Sequence, residues 1–104
     1  MPPQPFRIIL SPEAGGDIQA IYNYVAQDSA TNAAKLVGRL LDAIDSLATF
    51  PHRTVAERRS SKIRHPVRSL PVRPYVIYFR VIEEAQAVRV LTVRHGARRK
   101  PRRF

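Results

Sequence analysis

The stretch YVIYFRVI at residues 75–82, followed after EEAQ by AVRVLTVR at residues 87–94, decides the fold of this chain. Both segments are rich in β-branched and aromatic residues, which is typical of buried strands. Because only residues 83–86 lie between them, they are predicted to pair side by side. A further strand is predicted over residues 67–73, where Pro71 requires a sheet edge or a bulge because proline cannot donate a ladder hydrogen bond.

Two amphipathic helices precede these strands. Ser11-Pro12 predicts a helix start, with a serine N-cap and proline at the first helical position. A break at Asp28-Ser29 leads to a second helix, capped by Ser29 or Thr31 and extending to about Ala48. Helices joined by so few residues form an antiparallel hairpin. At helical spacing, the predicted buried sides consist of Ala14, Ile18, Ile21, Tyr22 and Val25 in the first helix, and Leu36, Val37, Leu40, Leu41, Ile44 and Leu47 in the second.

The complete pattern predicts an α+β fold of order β-α-α-β-β-β. The apolar segment FRIIL at residues 6–10 supplies the N-terminal strand. Residues 52–66 have no periodicity and predict a loop or a poorly ordered sheet edge. An antiparallel two-helix hairpin then packs on a small twisted, mainly antiparallel sheet. A chain of 104 residues predicts a single domain over 1–104, and we expect 1–5 and 98–104 to be flexible tails.

Charge is divided unevenly between the two halves of the chain. Residues 52–104 contain fifteen basic and three acidic residues, a balance of +12, whereas residues 1–51 contain three basic and five acidic residues, a balance of −2. Charge concentrated in one half of a small domain implies a basic face on the folded protein. A basic face attracts nucleic acid, the acidic surface of a nucleic-acid enzyme or an acidic protein partner. Arginine outnumbers lysine fifteen to three, which favours bidentate recognition of phosphate or carboxylate. The alternative is a solvated loop and a solubilising tail.

The sequence contains few candidates for catalysis. It has no cysteine, no phosphate-binding glycine loop and no metal-binding motif, so no cofactor and no metal are expected. Among His52, His65 and His95, only His95 directly follows a predicted buried strand, where a side chain is often presented to a partner. No apolar run approaches the roughly 20 residues of a membrane span, and the N-terminus does not resemble a secretion signal. We therefore expect a cytoplasmic protein with no membrane partner.

Four segments occur in an order that resembles a known family. They are SPEAGGDIQAIYNYVAQDS, SLATFP, VRSLPVRPYVIYFRV and VRVLTVRHGARR, and together they fall within residues 6–99. In this order they resemble the RelE/ParE superfamily of type II toxin–antitoxin toxins, and its ParE branch in particular. The resemblance implies the same helical hairpin on an antiparallel sheet. It also implies a growth-inhibiting toxin that a cognate antitoxin, ParD-like or similar, neutralises.

Within this superfamily the resemblance leaves two targets open. ParE-like toxins inhibit DNA gyrase without being nucleases, whereas RelE-like toxins cut mRNA in the ribosome. RelE-like enzymes typically carry arginine directly after the aromatic residue that matches Tyr75, and here that residue is Val76. The sequence therefore favours gyrase inhibition without catalysis, and His95 becomes a catalytic candidate only for a ribonuclease. A third alternative is an inactive member that only binds antitoxin.

The basic residues then become candidates for contact with the antitoxin, with gyrase or, through the target, with nucleic acid. The first candidate group comes from the predicted loop and the second from the end of the last strand and beyond. The predicted binding residues are Arg58, Arg59, Lys62, Arg64, Arg94, His95, Arg98 and Arg99.

Overall fold

The computed structural model describes residues 4–56 and 64–97 of the chain. Its helices and strands follow the predicted order, with one short strand added after the second helix. The described elements are β1 (Arg7–Leu10), α1 (Pro12–Ala26), α2 (Ala30–Ser46), β2 (Val55–Ala56), β3 (Val67–Val72), β4 (Tyr75–Ile82) and β5 (Ala87–His95), with 3-10 turns at Pro51–Arg53 and Glu83–Ala85.

The described strands form one sheet in the order β1-β5-β4-β3-β2. Its strand pairs are antiparallel except β1–β5, which is parallel. The helical hairpin carries the chain from the β1 edge of the sheet to the β2 edge, so β1 and β5 are not joined by a tight turn and can run in the same direction. This confirms the predicted α+β fold. The two-residue β2 falls inside the predicted loop and pairs only with Arg68 and Ser69, so Pro71 still faces an open edge.

The helical hairpin covers one face of the sheet, and α1 packs against β5 while α2 packs against β3. Ser11 and Ser29 act as the N-caps, each accepting a backbone hydrogen bond three residues later. The helices and the sheet enclose one hydrophobic core. It consists of Ala14, Ile18, Ile21, Leu40, Ile44, Leu47, Ile77, Phe79, Val81, Val88, Val90 and Val93.

The prediction that Leu41 is buried is wrong. Leu41 is 44% exposed, whereas its neighbour Leu40 is fully buried. Successive helix residues point about 100° apart, so the stripe of Leu40, Ile44 and Leu47 that meets the sheet leaves Leu41 on the solvent side.

Three predictions concern segments that the structure describes in part. Of the tails, only residues 4–5 are described, so the expected flexibility of 1–3 and 98–104 lies outside the described residues. The same holds for residues 57–63 of the predicted basic loop. A single domain over 1–104 stays a prediction.

Candidate functional site

The beginning of α1 closes the edge of β5 beyond the point where β1 ends. The N–H of Ser11 donates to the carbonyl of Val90 at 3.0 Å, and its hydroxyl donates to the carbonyl of Leu91 at 2.8 Å. The same hydroxyl oxygen caps α1 by accepting from the N–H of Ala14 at 3.0 Å. One serine therefore fixes the helix start against the strand.

Asp17 continues this attachment one helical turn further on. Its Oδ2 accepts from the hydroxyl of Thr92 at 2.6 Å and from the N–H of Val93 at 3.0 Å. The backbone N–H of Val93 has no strand partner on this side, since β1 ends at its pair Leu10–Val90. The half-buried Asp17 carboxylate thus replaces the missing strand and holds the segment that leads to Arg94 and His95.

A groove of about 500 Å³ lies between α1 and this end of the sheet. Its aromatic side chains are the half-buried Tyr75 and Tyr24, which is 71% exposed. An exposed aromatic ring beside charged groups is typical of a binding surface. The complete lining is Asp17, Ala20, Ile21, Tyr24, Tyr75, Val93, Arg94 and His95.

Arg94 places a positive charge at this groove, which the carboxylate of Asp17 also lines. Its Nη2 lies 4.0 Å from Oε1 of Glu13, an exposed carboxylate at the limit of an ion pair. Its buried Nε has no hydrogen-bond partner among the described residues. The side chain is 35% exposed, so its outer nitrogens can receive a carboxylate or phosphate from a ligand.

His95 follows directly and is positioned by its neighbours. Its ring meets that of Tyr75 edge to face, with centroids 5.4 Å apart, and its Nδ1 accepts from the N–H of Ala97 at 3.0 Å. A neutral histidine in this arrangement carries its proton on Nε2. Gly96 donates to the carbonyl of Pro74 at 2.7 Å, and a Cβ there would lie 3.2 Å from that oxygen, so the close approach favours glycine.

The structure brings together only two of the predicted binding residues. Arg94 and His95 line the groove, whereas Arg64 pairs with Glu84 at 3.4 Å beside the turn at the other end of β4 and β5. β4 has eight residues, so the end of the sheet with the groove and the end with Arg64 lie about 25 Å apart. The other predicted residues, Arg58, Arg59, Lys62, Arg98 and Arg99, lie outside the described residues.

The turn Glu83–Ala85, whose Glu84 pairs with Arg64, forms a small ionic cluster. Glu84 also contacts His65 Nε2 at 3.0 Å, and the adjacent Glu83 contacts His52 Nε2 at 2.5 Å. A backbone hydrogen bond, the His65 side chain and the Arg64 charge lower the pKa of Glu84 below its ordinary value. The acids of this turn thus neutralise charge at the end of the sheet far from the groove.

Several other arginines of the basic half are used within the fold. Arg68 Nη1 donates to the carbonyl of Thr54 at 2.8 Å, and Arg80 Nη1 donates to that of His65. Arg53 binds the end of α2 through the carbonyls of Ser46 and Phe50, at 3.3 and 2.7 Å. The basic composition of this half is therefore partly structural.

Sequence reasoning found Arg94 and His95 because they follow a strong strand pattern, but it missed Asp17 and Tyr24. Asp17 lies near the start of a helix, where an acid is ordinary, and Tyr24 lies outside the predicted buried side of the first helix. Among the described residues, no group of acidic or histidine side chains is arranged to hold a metal ion, and no helix is long and apolar enough to cross a membrane.

A strand, a helical hairpin and a mainly antiparallel sheet, with a groove at the end of the last strand, define a small α+β domain. Residues 8–100 match the family model described as the ParE toxin of the type II toxin–antitoxin system parDE. The chain therefore belongs to the ParE toxin family. It is also 33% identical over 92 residues to Toxin RelE2 from Caulobacter vibrioides, an alignment that covers 88% of this chain and 97% of that protein.

Solved structures share the fold. The chromosomal ParDE system of P. aeruginosa matches with a TM-score of 0.68 at 22% identity, over 86% of this chain and 95% of that one. The RelBE2 toxin–antitoxin complex of Mycobacterium tuberculosis matches with a TM-score of 0.67 at 17% identity, over 91% and 95% of the two chains. Because both branches of the superfamily match about equally well, the fold does not distinguish their targets.

Proposed function

We propose that this toxin inhibits DNA gyrase when free and is neutralised by a cognate antitoxin that covers the groove beside Arg94. Membership of the ParE toxin family supports the first part. The structural neighbours support the second, since they are toxin–antitoxin systems and complexes. The groove is suited to bind a protein segment because it combines apolar side chains, two tyrosines and the charged side chains of Asp17 and Arg94.

The observation that carries the choice of target is the use of the strand arginines. An mRNA-cutting site needs cations beside the reacting phosphate and a positioned acid–base pair. Here Arg68 and Arg80 are bound to the carbonyls of Thr54 and His65, and Val76 occupies the position after Tyr75. Arg94 instead lies beside the groove, where its charge favours binding over catalysis.

A ribosome-dependent ribonuclease is the second candidate, and His95 favours it. With Nδ1 engaged by the N–H of Ala97, the exposed ring presents Nε2 to solvent, where it can exchange a proton with a substrate. Tyr75 holds the ring in place.

The test is induction of the toxin without antitoxin, with DNA integrity and protein synthesis followed separately. We expect DNA damage before translation falls, and inhibition of purified gyrase in a supercoiling assay without ribosomes. Translation that stops first, with cleaved mRNA, would establish the ribonuclease. Harmless expression of folded protein would instead identify a member that only binds antitoxin.

The groove itself is tested with the double substitution Arg94→Ala and His95→Ala. We expect toxicity to be lost while circular dichroism shows a folded protein. Arg89→Ala is the matched control, because Arg89 is an exposed arginine on the same strand outside the groove. Full toxicity of the folded double variant would remove the groove from the mechanism.

A further inference from the structure

Among the strands that the structure describes, β1 has one edge that pairs with no other strand. It is the outer strand of the sheet and pairs with β5 on one side. On that side, Arg7 donates to the carbonyl of Gln86 and Ser11 donates to that of Val90. Because N–H groups alternate in direction along a strand, those of Ile8 and Leu10 point away from β5. Phe6 also points outward, but its N–H donates to the carbonyl of Ala48, so the free edge begins at Ile8.

This edge is apolar and open. Ile9 and Leu10 are each 40% exposed, although both are large hydrophobic residues. Exposed sheet edges are usually protected by charged side chains, proline, a bulge or short length, because unpaired backbone groups attract another strand. β1 is short and carries Arg7 at its start, but residues 8–10 contain no charge, proline or bulge, and the helices pack mainly over β5 and β3. The edge is therefore suited to pair with an extended chain.

We propose that two copies of this chain pair through β1 in antiparallel orientation, with the two-fold axis at Ile9. In this register Ile9 faces Ile9 of the second copy and Ile8 faces its Leu10. The outward N–H and carbonyl groups of Ile8 and Leu10 then bond to those of the second copy. One register satisfies the outward groups of both residues and joins the two sheets into one, as an isologous interface requires.

The charges of the strand fit a second copy. The same register places Arg7 opposite Ser11, so no like charges face each other across the pair. Arg89, the β5 partner of Ile9, is exposed one strand further in, so the Arg89 side chains of the two copies are attached about 14 Å apart rather than opposite each other. The apolar side chains of Ile8, Ile9 and Leu10 pair with one another.

The register makes a sharp prediction for Ile9→Cys. Residues that face each other without exchanging hydrogen bonds have Cα atoms about 4.5 Å apart, within the range of a disulfide. The chain has no cysteine, so the introduced thiol can only pair with its copy. We expect mild oxidation of the full chain to give a disulfide-linked dimer. The control Leu41→Cys, at an equally exposed leucine on α2, should stay monomeric.

Sedimentation measures the dimer without a crosslink. We expect the wild-type mass to double as protein concentration rises, and Ile9→Lys to abolish this because two ammonium groups would then face each other. Leu41→Lys is the control for charge and lost apolar surface, and thermal melting verifies that each variant folds. A wild-type chain that stays monomeric, or equal crosslinking by both cysteine variants, would overturn the proposal. Neither assay depends on gyrase or the antitoxin.

Discussion

At the scale of the residue, Asp17 determines how the groove is built. Its carboxylate bonds to Thr92 and Val93, which lie 75 and 76 positions further along the chain. No local pattern predicts a contact over such a distance, so the sequence indicated only a favourable acid near a helix start. Arg94 and His95 were predictable because a strong strand places them at its end, but their surroundings were not.

Asp17→Ala is expected to lower the free energy of unfolding by about 1–3 kcal/mol, because it leaves the N–H of Val93 and the hydroxyl of Thr92 without their acceptor. Chemical denaturation measures the loss. The control is Asp28→Ala, an exposed acid at the turn between the helices, where we expect a change within about 0.5 kcal/mol. Equal stability of the two variants would mean that the Asp17 hydrogen bonds contribute nothing.

At the scale of the element, patterns with strong periodicity were predicted and weak pairings were not. The two helix starts follow from their serine caps, and β4 and β5 follow from dense β-branched and aromatic residues. The two-residue β2 has no such signal, because it forms only by pairing with Arg68 and Ser69. The parallel direction of β1 likewise depends on the path of the helices, which tertiary packing decides.

Leu40→Asp is expected to unfold the domain, because it places an unpaired charge on the face of α2 that meets the sheet. Leu40 is fully buried, and the loss should exceed about 4 kcal/mol, a large part of the stability of a small domain. Leu41→Asp is the matched control, because the adjacent leucine is 44% exposed and should lose little. A cooperative thermal transition in Leu40→Asp near that of the wild type would contradict the observed helix face.

At the scale of the whole molecule, the basic half serves two purposes. Arg68 and Arg80 bind backbone carbonyls and hold loops to the sheet, and Arg53 binds carbonyls at the end of α2. Within the described part of the chain, Arg94 has no such carbonyl partner and lies on the groove. Composition alone could not separate these roles, because a structural and a ligand-binding arginine look the same in sequence. The net charge of +10 nevertheless acts on any approaching partner as a sum.

That sum makes the binding of an acidic antitoxin sensitive to salt. Raising the ionic strength from about 0.05 to about 0.5 M shortens the distance over which charges act, so we expect the association rate to fall about tenfold or more while dissociation changes less. Stopped-flow fluorescence with a labelled antitoxin measures both rates. Leu41→Asn is the control variant, because it changes an exposed side chain without changing charge and should keep the same salt dependence. An association rate that salt does not alter would mean that the basic half does not guide the antitoxin to the toxin.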